Sequence, residues 1–258
     1  MSFALACLVM ITVHELAHAL AAVALGLSPT MYGDSVETHA TTDTQQVVTA
    51  LAGPVASLVI GLAVLALPEP RWSPVWRLAL LWFGLLDVQE FSGYLITGPF
   101  AGIGDIGQVL KVTNAPAVVG WAGFLAGWAG TYLTGRQATR RLARFVTDEP
   151  GPSGEPAPPL GPQLRAVGLF AWLLGSVLAV VLSAGLLTAG GVSAGVVAFE
   201  ALGTATSGLF LIFVRLFLPL ARPDGTAPAL LPAPVGAAVA LAVVAVVRQV
   251  LLAGGLTL

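Results

Sequence analysis

Cysteine is all but missing. Cys7 is the only one in 258 residues, which excludes an intrachain disulfide and any zinc cluster built on thiolates. Charge is scarce as well: charged residues make up 9% of the chain, against roughly 25% in an average soluble domain. Too few polar side chains remain to coat a globule in water. The net charge of -2 points to neither an acidic nor a basic partner, and no Lys/Arg-rich run interleaved with aromatics signals nucleic acid. No internal repeat of the transporter type is visible. No Lys or Arg precedes the apolar stretch 3–13, and His14, Glu15 and His18 interrupt the apolar run that follows. The segment therefore reads as a retained helix and not as a signal peptide.

What is abundant is hydrocarbon: 57% of the residues are hydrophobic and the mean hydropathy is +0.90. A helix needs roughly 20 mostly apolar residues to cross a bilayer. Seven segments qualify, at about 2–27, 46–67, 75–97, 115–134, 166–190, 194–217 and 229–253. The expected fold is an all-α, polytopic transmembrane bundle of about six to seven helices. Ser28-Pro29 closes the first segment, Pro68-Glu69-Pro70 the second and Gly98-Pro99 the third. Residues 1–114 form a three-helix core holding most of the intramembrane polar residues, and 115–134 a fourth helix. Residues 135–165 begin as a basic, helix-compatible piece (Arg136, Arg140, Arg141, Arg144) and become a Pro/Gly-rich linker. The remainder, 166–258, is a blander three-helix region rich in small residues. Glu200 and Arg215 are its main irregularities, Glu200 being expected at an interface.

Chemistry is concentrated in His14-Glu15-Leu16-Ala17-His18, an HExxH sequence. On a helix, positions i and i+4 share one face. Two imidazoles placed so can reach one metal ion, with the intervening Glu beside it to take a proton from metal-coordinated water. Zinc suits this arrangement because it lowers the pKa of its water towards ~7. Context strengthens the pattern: each ionisable side chain near mid-bilayer costs at least ~2.5 kcal/mol on insertion scales, so three in one turn need a compensating partner. A divalent cation supplies one; a polar cluster lining an ion or proton path is the plainer alternative.

A zinc site needs a third protein ligand. Asp105, in the Gly/Pro-rich stretch GPFAGIGDIGQV after the third helix, is favoured, because irregular backbone at membrane depth is tolerated where it lines a cavity. Asp87 and Glu90, three apart on the third helix, are reserve ligands or else outer partners holding a His nitrogen in place. His39 is a further candidate in the first loop. Gly53-Pro54 in the second helix leaves a carbonyl one turn earlier unpaired and lets another backbone approach. It reads either as a strand-holding element for an extended peptide or as a packing kink.

HELAH on the first helix, LAGPVAS (Leu51 to Ser57) on the second and a Gly-Asp after the third resemble the site-2 protease family of intramembrane zinc metalloproteases. The likeness covers about the first 110 residues. It implies that His14 and His18 bind Zn²⁺ with Asp105 as third ligand, that Glu15 is the catalytic base, and that Gly53, Pro54 and Ser57 contact substrate. Two departures stand out. Ser57 occupies the position where that family usually has Asn, and TGPFAGIGDIG carries Pro99 but neither the Asn nor the Leu of the family's Asp motif. No stretch is long enough for an inserted soluble domain of ~50 residues, so regulation is expected from a separate membrane partner or from the helices after 165.

The expected activity is zinc-dependent endoproteolysis of a membrane-spanning protein substrate. The rivals are a metal or proton transporter using the same cluster, and an inactive scaffold of the same family. Arginines fill the second, fourth and sixth loops, while the first has no Lys or Arg and the third only Lys111. The positive-inside rule thus places the N-terminus in the cytoplasm, in what is expected to be a bacterial inner membrane. Site-2 proteases usually run their HExxH helix the other way. The polar first loop, about 28–45, is either a small substrate-guiding hairpin, with β-prone spacing at Ser35, Val36 and Thr38, or simply solvated.

Overall fold

The computed structural model describes all residues except 69, 151–155, 157–158, 190–201, 224–234 and 253. Each of the seven apolar segments contains a long helix. They are α1 (Ser2–Ala24), α2 (Asp43–Ala66), α3 (Pro74–Ala101) and α5 (Ala117–Leu142), with the nine-residue α4 (Gly104–Val112) between the last two. A short α6 (Leu160–Leu164) runs through a π-type stretch (Arg165–Phe170) into α7 (Ala171–Ala189), followed by the helical span α8 (Leu202–Leu220), which is of 3-10 type over Leu209–Leu220, and α9 (Val235–Leu252). Five spans are long and apolar enough to cross a membrane: α1, α2, Leu160–Ser183, α8 and α9. Helices α3 and α5 are longer still, at 28 and 26 residues, but carry Arg77, Asp87 and Glu90 in one and a basic end in the other. Bulky apolar side chains face outward, such as Val59 at 60%, Leu174 at 72% and Val250 at 73% exposure. In water that would be an aggregation surface; in lipid it is the solvated face.

Helix α1 is the axis of the bundle. It packs against α2, α3, α7 and α9. One continuous core joins Phe3, Leu8 and Met10 of α1 to Trp82 and Leu85 of α3, Leu142 of α5, Ala179 of α7, Phe210 of α8 and Leu241 of α9. The N-terminal core and the C-terminal region are therefore cemented together along α1. Ser2 Oγ donates to the Val75 carbonyl at 3.2 Å, fixing the starts of α1 and α3 at one end of the bundle. Arg141 Nη2 donates to Leu65 O at 2.6 Å, bringing the ends of α2 and α5 to that same end.

Three boundaries differ from the sequence expectation. Helix α3 does not stop at Gly98-Pro99. Pro99 forfeits only its own backbone bond, and the helix continues to Ala101, where Gly102 takes the left-handed conformation (φ 62°) that ends it. The unwound stretch is consequently short, and Asp105 lies in the first turn of α4 and not in a loop. Helix α5 continues past 134 to Leu142, because nothing between Tyr132 and Arg141 breaks a helix and arginines suit its carbonyl end. The basic piece is thus the last turns of α5. Helix α2 starts at Asp43, set by a capping box in which Thr42 Oγ1 accepts from the Gln45 backbone N–H and Gln45 Oε1 from that of Thr42, both at 3.2 Å.

The first loop does form a hairpin. Strands β1 (Thr30–Met31) and β2 (Val36–Glu37) pair antiparallel, and β3 (Leu256–Thr257) joins the other edge of β1, giving the order β2-β1-β3. The chain's C-terminal strand is thereby stitched to the loop that follows the HExxH helix. Glu200 and half of the Pro/Gly linker (151–155 and 157–158 of 149–162) lie outside the described residues.

Candidate metal centre

The helical spacing delivers what HExxH requires. His14 and His18 are one turn apart on α1, both buried, with ring centroids 4.7 Å apart. Their Nε2 atoms lie 3.1 Å from each other. Asp105 Oδ2 lies 3.1 Å from His14 Nε2 and 3.3 Å from His18 Nε2. Among the described residues this trio is the one group of His, Cys, Asp or Glu side chains drawn together closely enough to hold an ion. Asp105 arrives because α4 folds back tightly on the end of α3. A Cβ at Gly98 would sit 2.7 Å from Gly107 N, and one at Gly107 would sit 2.8 Å from Gly102 C. Bare backbone at both contacts brings the first turn of α4 over α1.

The far sides of the rings are also fixed. His18 Nδ1 donates to the Thr49 carbonyl at 2.6 Å. A carbonyl only accepts, so the proton sits on Nδ1 and the neutral ring turns a lone pair outward from Nε2. His14 Nδ1 meets Ser57 Oγ at 3.1 Å. The two Nε2 atoms and a carboxylate oxygen then converge on one point. Their edges of 3.1–3.3 Å match the about 3.3 Å expected between neighbouring ligands of a tetrahedral ion with bonds of ~2.0–2.1 Å. This donor set, two imidazoles and a carboxylate, fits zinc.

Gly53 makes room for it. A Cβ there would lie 2.7 Å from His14 Nε2 and would overlap His18 Nε2, so the glycine in the second helix is dictated by the Nε2 edges of both rings. Pro54 follows it, buried inside α2. Ser57 is wholly buried behind His14, an arrangement that orients the imidazole. Asp87, also fully buried, faces Ser57 from α3 without closing a full hydrogen bond, and a Cβ on Gly61 would touch it at 2.8 Å. It lies outside the ligand trio and beside Ser57, where an outer-shell partner would be. His39 is exposed in the loop, away from the trio.

A cavity of about 320 Å³ opens beside the trio. His14 and Glu15 form one wall, Glu90 and Tyr94 of α3 a second, and Gly203, Thr204 and Ser207 of α8 a third, with Asp34 of the hairpin turn at its edge. Glu15 is 8% exposed, looking into this space. Glu90 is held by the Tyr94 hydroxyl and belongs to the cavity wall, outside the ligand trio. The Tyr94 ring stacks on His14 at 5.6 Å and 18°. Burial pushes the Asp34 carboxyl above the usual carboxylate range, against the pull of Arg248.

Sequence reasoning passed over Arg248, Tyr94 and the Thr49 carbonyl. Arg248, 2% exposed in α9, donates to Leu8 O at 2.9 Å and also bonds Thr12 Oγ1 and Gly33 O. It thus clamps the HExxH helix to the hairpin one turn before the trio. A solitary arginine in an otherwise apolar span was the available signal. Tyr94 and the Thr49 carbonyl left none, since both act through tertiary proximity. Comparison with protein-family models, curated proteins and solved structures returns no match.

Proposed function

We propose that this chain is a multi-pass zinc endopeptidase of the membrane interior, related in chemistry to the site-2 proteases, that hydrolyses a peptide bond in a membrane-spanning protein. The observation that carries the reading is the convergence of His14 Nε2, His18 Nε2 and Asp105 Oδ2 within 3.1–3.3 Å of one another. Three potential ligand atoms so placed, in a buried turn that is costly in hydrocarbon, suit a cation held among them.

When bound, zinc would polarise the scissile carbonyl and bring the pKa of its water towards ~7. The remaining work falls to the protein. His14, His18 and Asp105 hold the ion, while Ser57 and the Thr49 carbonyl fix the two ring orientations. Gly53 leaves the space in which the ligands meet. Glu15, next to His14 on the cavity wall, takes a proton from the attacking water and returns it to the leaving amine. The Gly53-Pro54 segment offers backbone beside the site to an extended peptide. The chain sits in a bacterial inner membrane with its N-terminus in the cytoplasm, and a separate membrane protein supplies any regulation.

The test is metal content and cleavage measured together on purified protein. Wild type should bind one zinc and cut a transmembrane test peptide. Glu15→Gln should keep the zinc and lose about 10²- to 10⁴-fold in rate. His14→Ala should lose both. Equal zinc in wild type and His14→Ala would remove the ligand assignment. Zinc flux across liposomes without peptide cleavage would replace the enzyme with a transporter.

A further inference from the structure

Most of the cations gather at one end of the bundle, and the candidate metal site lies past the middle of α1 from them. Arg71 and Arg77 flank the start of α3, where Ser2 of α1 is bonded to Val75. The four arginines of 136–144 arrive at that end through α5: Arg141 bonds Leu65 O, and Arg77 lies over the Phe145 ring at 5.6 Å. Arg165 starts the next span, and Gly168, three residues on, abuts Leu142. Arg215 and Arg222 come after the point where α8 descends past Trp82, which packs on Phe210 at 6.3 Å. Nine of the eleven Lys and Arg therefore belong to the end where α1 begins. The other two are Lys111 of α4 and the buried Arg248. The opposite end carries Asp34, Glu37 and Asp43.

The candidate ligands are displaced away from the arginines. At 1.5 Å per residue, His14 lies about 18 Å along α1 from Ser2 and His18 about 24 Å, leaving roughly 15 Å and 9 Å to Ala24. The hydrocarbon is about 30 Å thick. Asp105 and Asp34 both enter from the far end, on α4 and on the hairpin turn.

Basic ends stay in the cytoplasm. From these two asymmetries we infer that the cavity draws water from the extracytoplasmic side, and that the substrates are membrane-spanning segments cut in their outer half. The scissile bond lies roughly 9–15 Å below the outer surface, within the outermost ~6–10 residues of a helical span. One water is consumed: its oxygen goes to the carbonyl carbon, the C–N bond breaks, and the amine leaves with a proton. The position of the cut rests on the peptidase reading, whereas the direction in which the cavity faces does not.

Two measurements separate those parts. In a Cys7→Ala background, Ser35→Cys in the hairpin and Ser73→Cys before α3 are probed with a membrane-impermeant maleimide on intact spheroplasts and after lysis. Position 35 should label in intact cells and position 73 only after lysis; the reverse pattern overturns the inference. A transmembrane substrate of known orientation is then incubated with the full-length protein in vesicles and the products are mass-mapped. Cuts in the outer half support the proposal, and cuts in the cytoplasmic half overturn it. If labelling gives the expected pattern but no peptide is cut, the peptidase reading fails and the outward-facing cavity stands.

Discussion

Helix α1 and the helices after residue 160 have similar hydropathy, 1.8 for α1 against 2.3, 1.6 and 2.3, yet they are used in opposite ways. In the best membrane window of α1, 61% of the residues are buried inside the protein; in the three later spans 22% are. A helix surrounded by α2, α3, α7 and α9 can host two imidazoles and a carboxylate, because each polar atom finds a partner across a contact. A helix that shows most of its surface to lipid has no partner to offer, and its outward residues stay apolar. Hydropathy thus marks both kinds of helix as spans, and packing separates the working one from the supporting ones.

Substitutions that treat one kind of helix as the other sharpen this contrast. The largest effect is expected from Gly53→Ala, where the added methyl overlaps both Nε2 atoms. Displacing the two rings costs about 1–3 kcal/mol, more than the roughly 0.5–1 kcal/mol by which alanine favours the helix, so the protein should melt slightly lower while zinc binding, read by calorimetry, is lost. Retained zinc affinity would show that the rings meet elsewhere.

Next is Arg248→Met, which breaks the clamp between α9 and α1. The Gly33 carbonyl loses its side-chain donor, at about 1–3 kcal/mol for a buried group left unsatisfied, while Leu8 O keeps the Thr12 hydroxyl. Thermal unfolding in detergent should fall accordingly, with the hairpin exchanging its amide protons faster than α2 does.

Ser57→Ala and Asp87→Asn act one step out from the proposed zinc position, Ser57 on His14 and Asp87 beside Ser57. Each should weaken zinc binding by about 10- to 100-fold and shift the electronic spectrum of the cobalt-substituted protein. If Asp87 acts through Ser57, the double substitution should cost no more than Ser57→Ala alone. An additive loss would give the two residues independent roles.

The smallest effect is expected at the lipid face. Val177→Ala or Val250→Ala, at positions 63% and 73% exposed, should change stability by less than about 0.5 kcal/mol and leave zinc binding unaltered. A larger loss at either would mean that the position is covered by a partner.

The membrane class, the helices and the HExxH turn were legible because each is a local property: twenty apolar residues make a span, and four positions make one helical turn. Asp105 was legible as a candidate among several, since a Gly-rich stretch after a helix is visible in one dimension. Its placement over both Nε2 atoms was not, because it depends on Gly98 and Gly107 letting α4 press against α3. Helix ends were read too early at Pro99 and at residue 134, where a breaker was assumed to act at once and a basic run was assumed to leave the helix.

By itself the sequence determined that this chain forms membrane helices and that two histidines and a glutamate share one turn, since hydropathy and the 3.6-residue period belong to short stretches of chain. Only the tertiary structure decided which carboxylate joins them, which glycine must stay bare, and towards which end of the bundle the site is displaced. Those outcomes depend on distances between residues from 35 positions apart (His18 and Gly53) to 91 (His14 and Asp105), and such distances are set by packing.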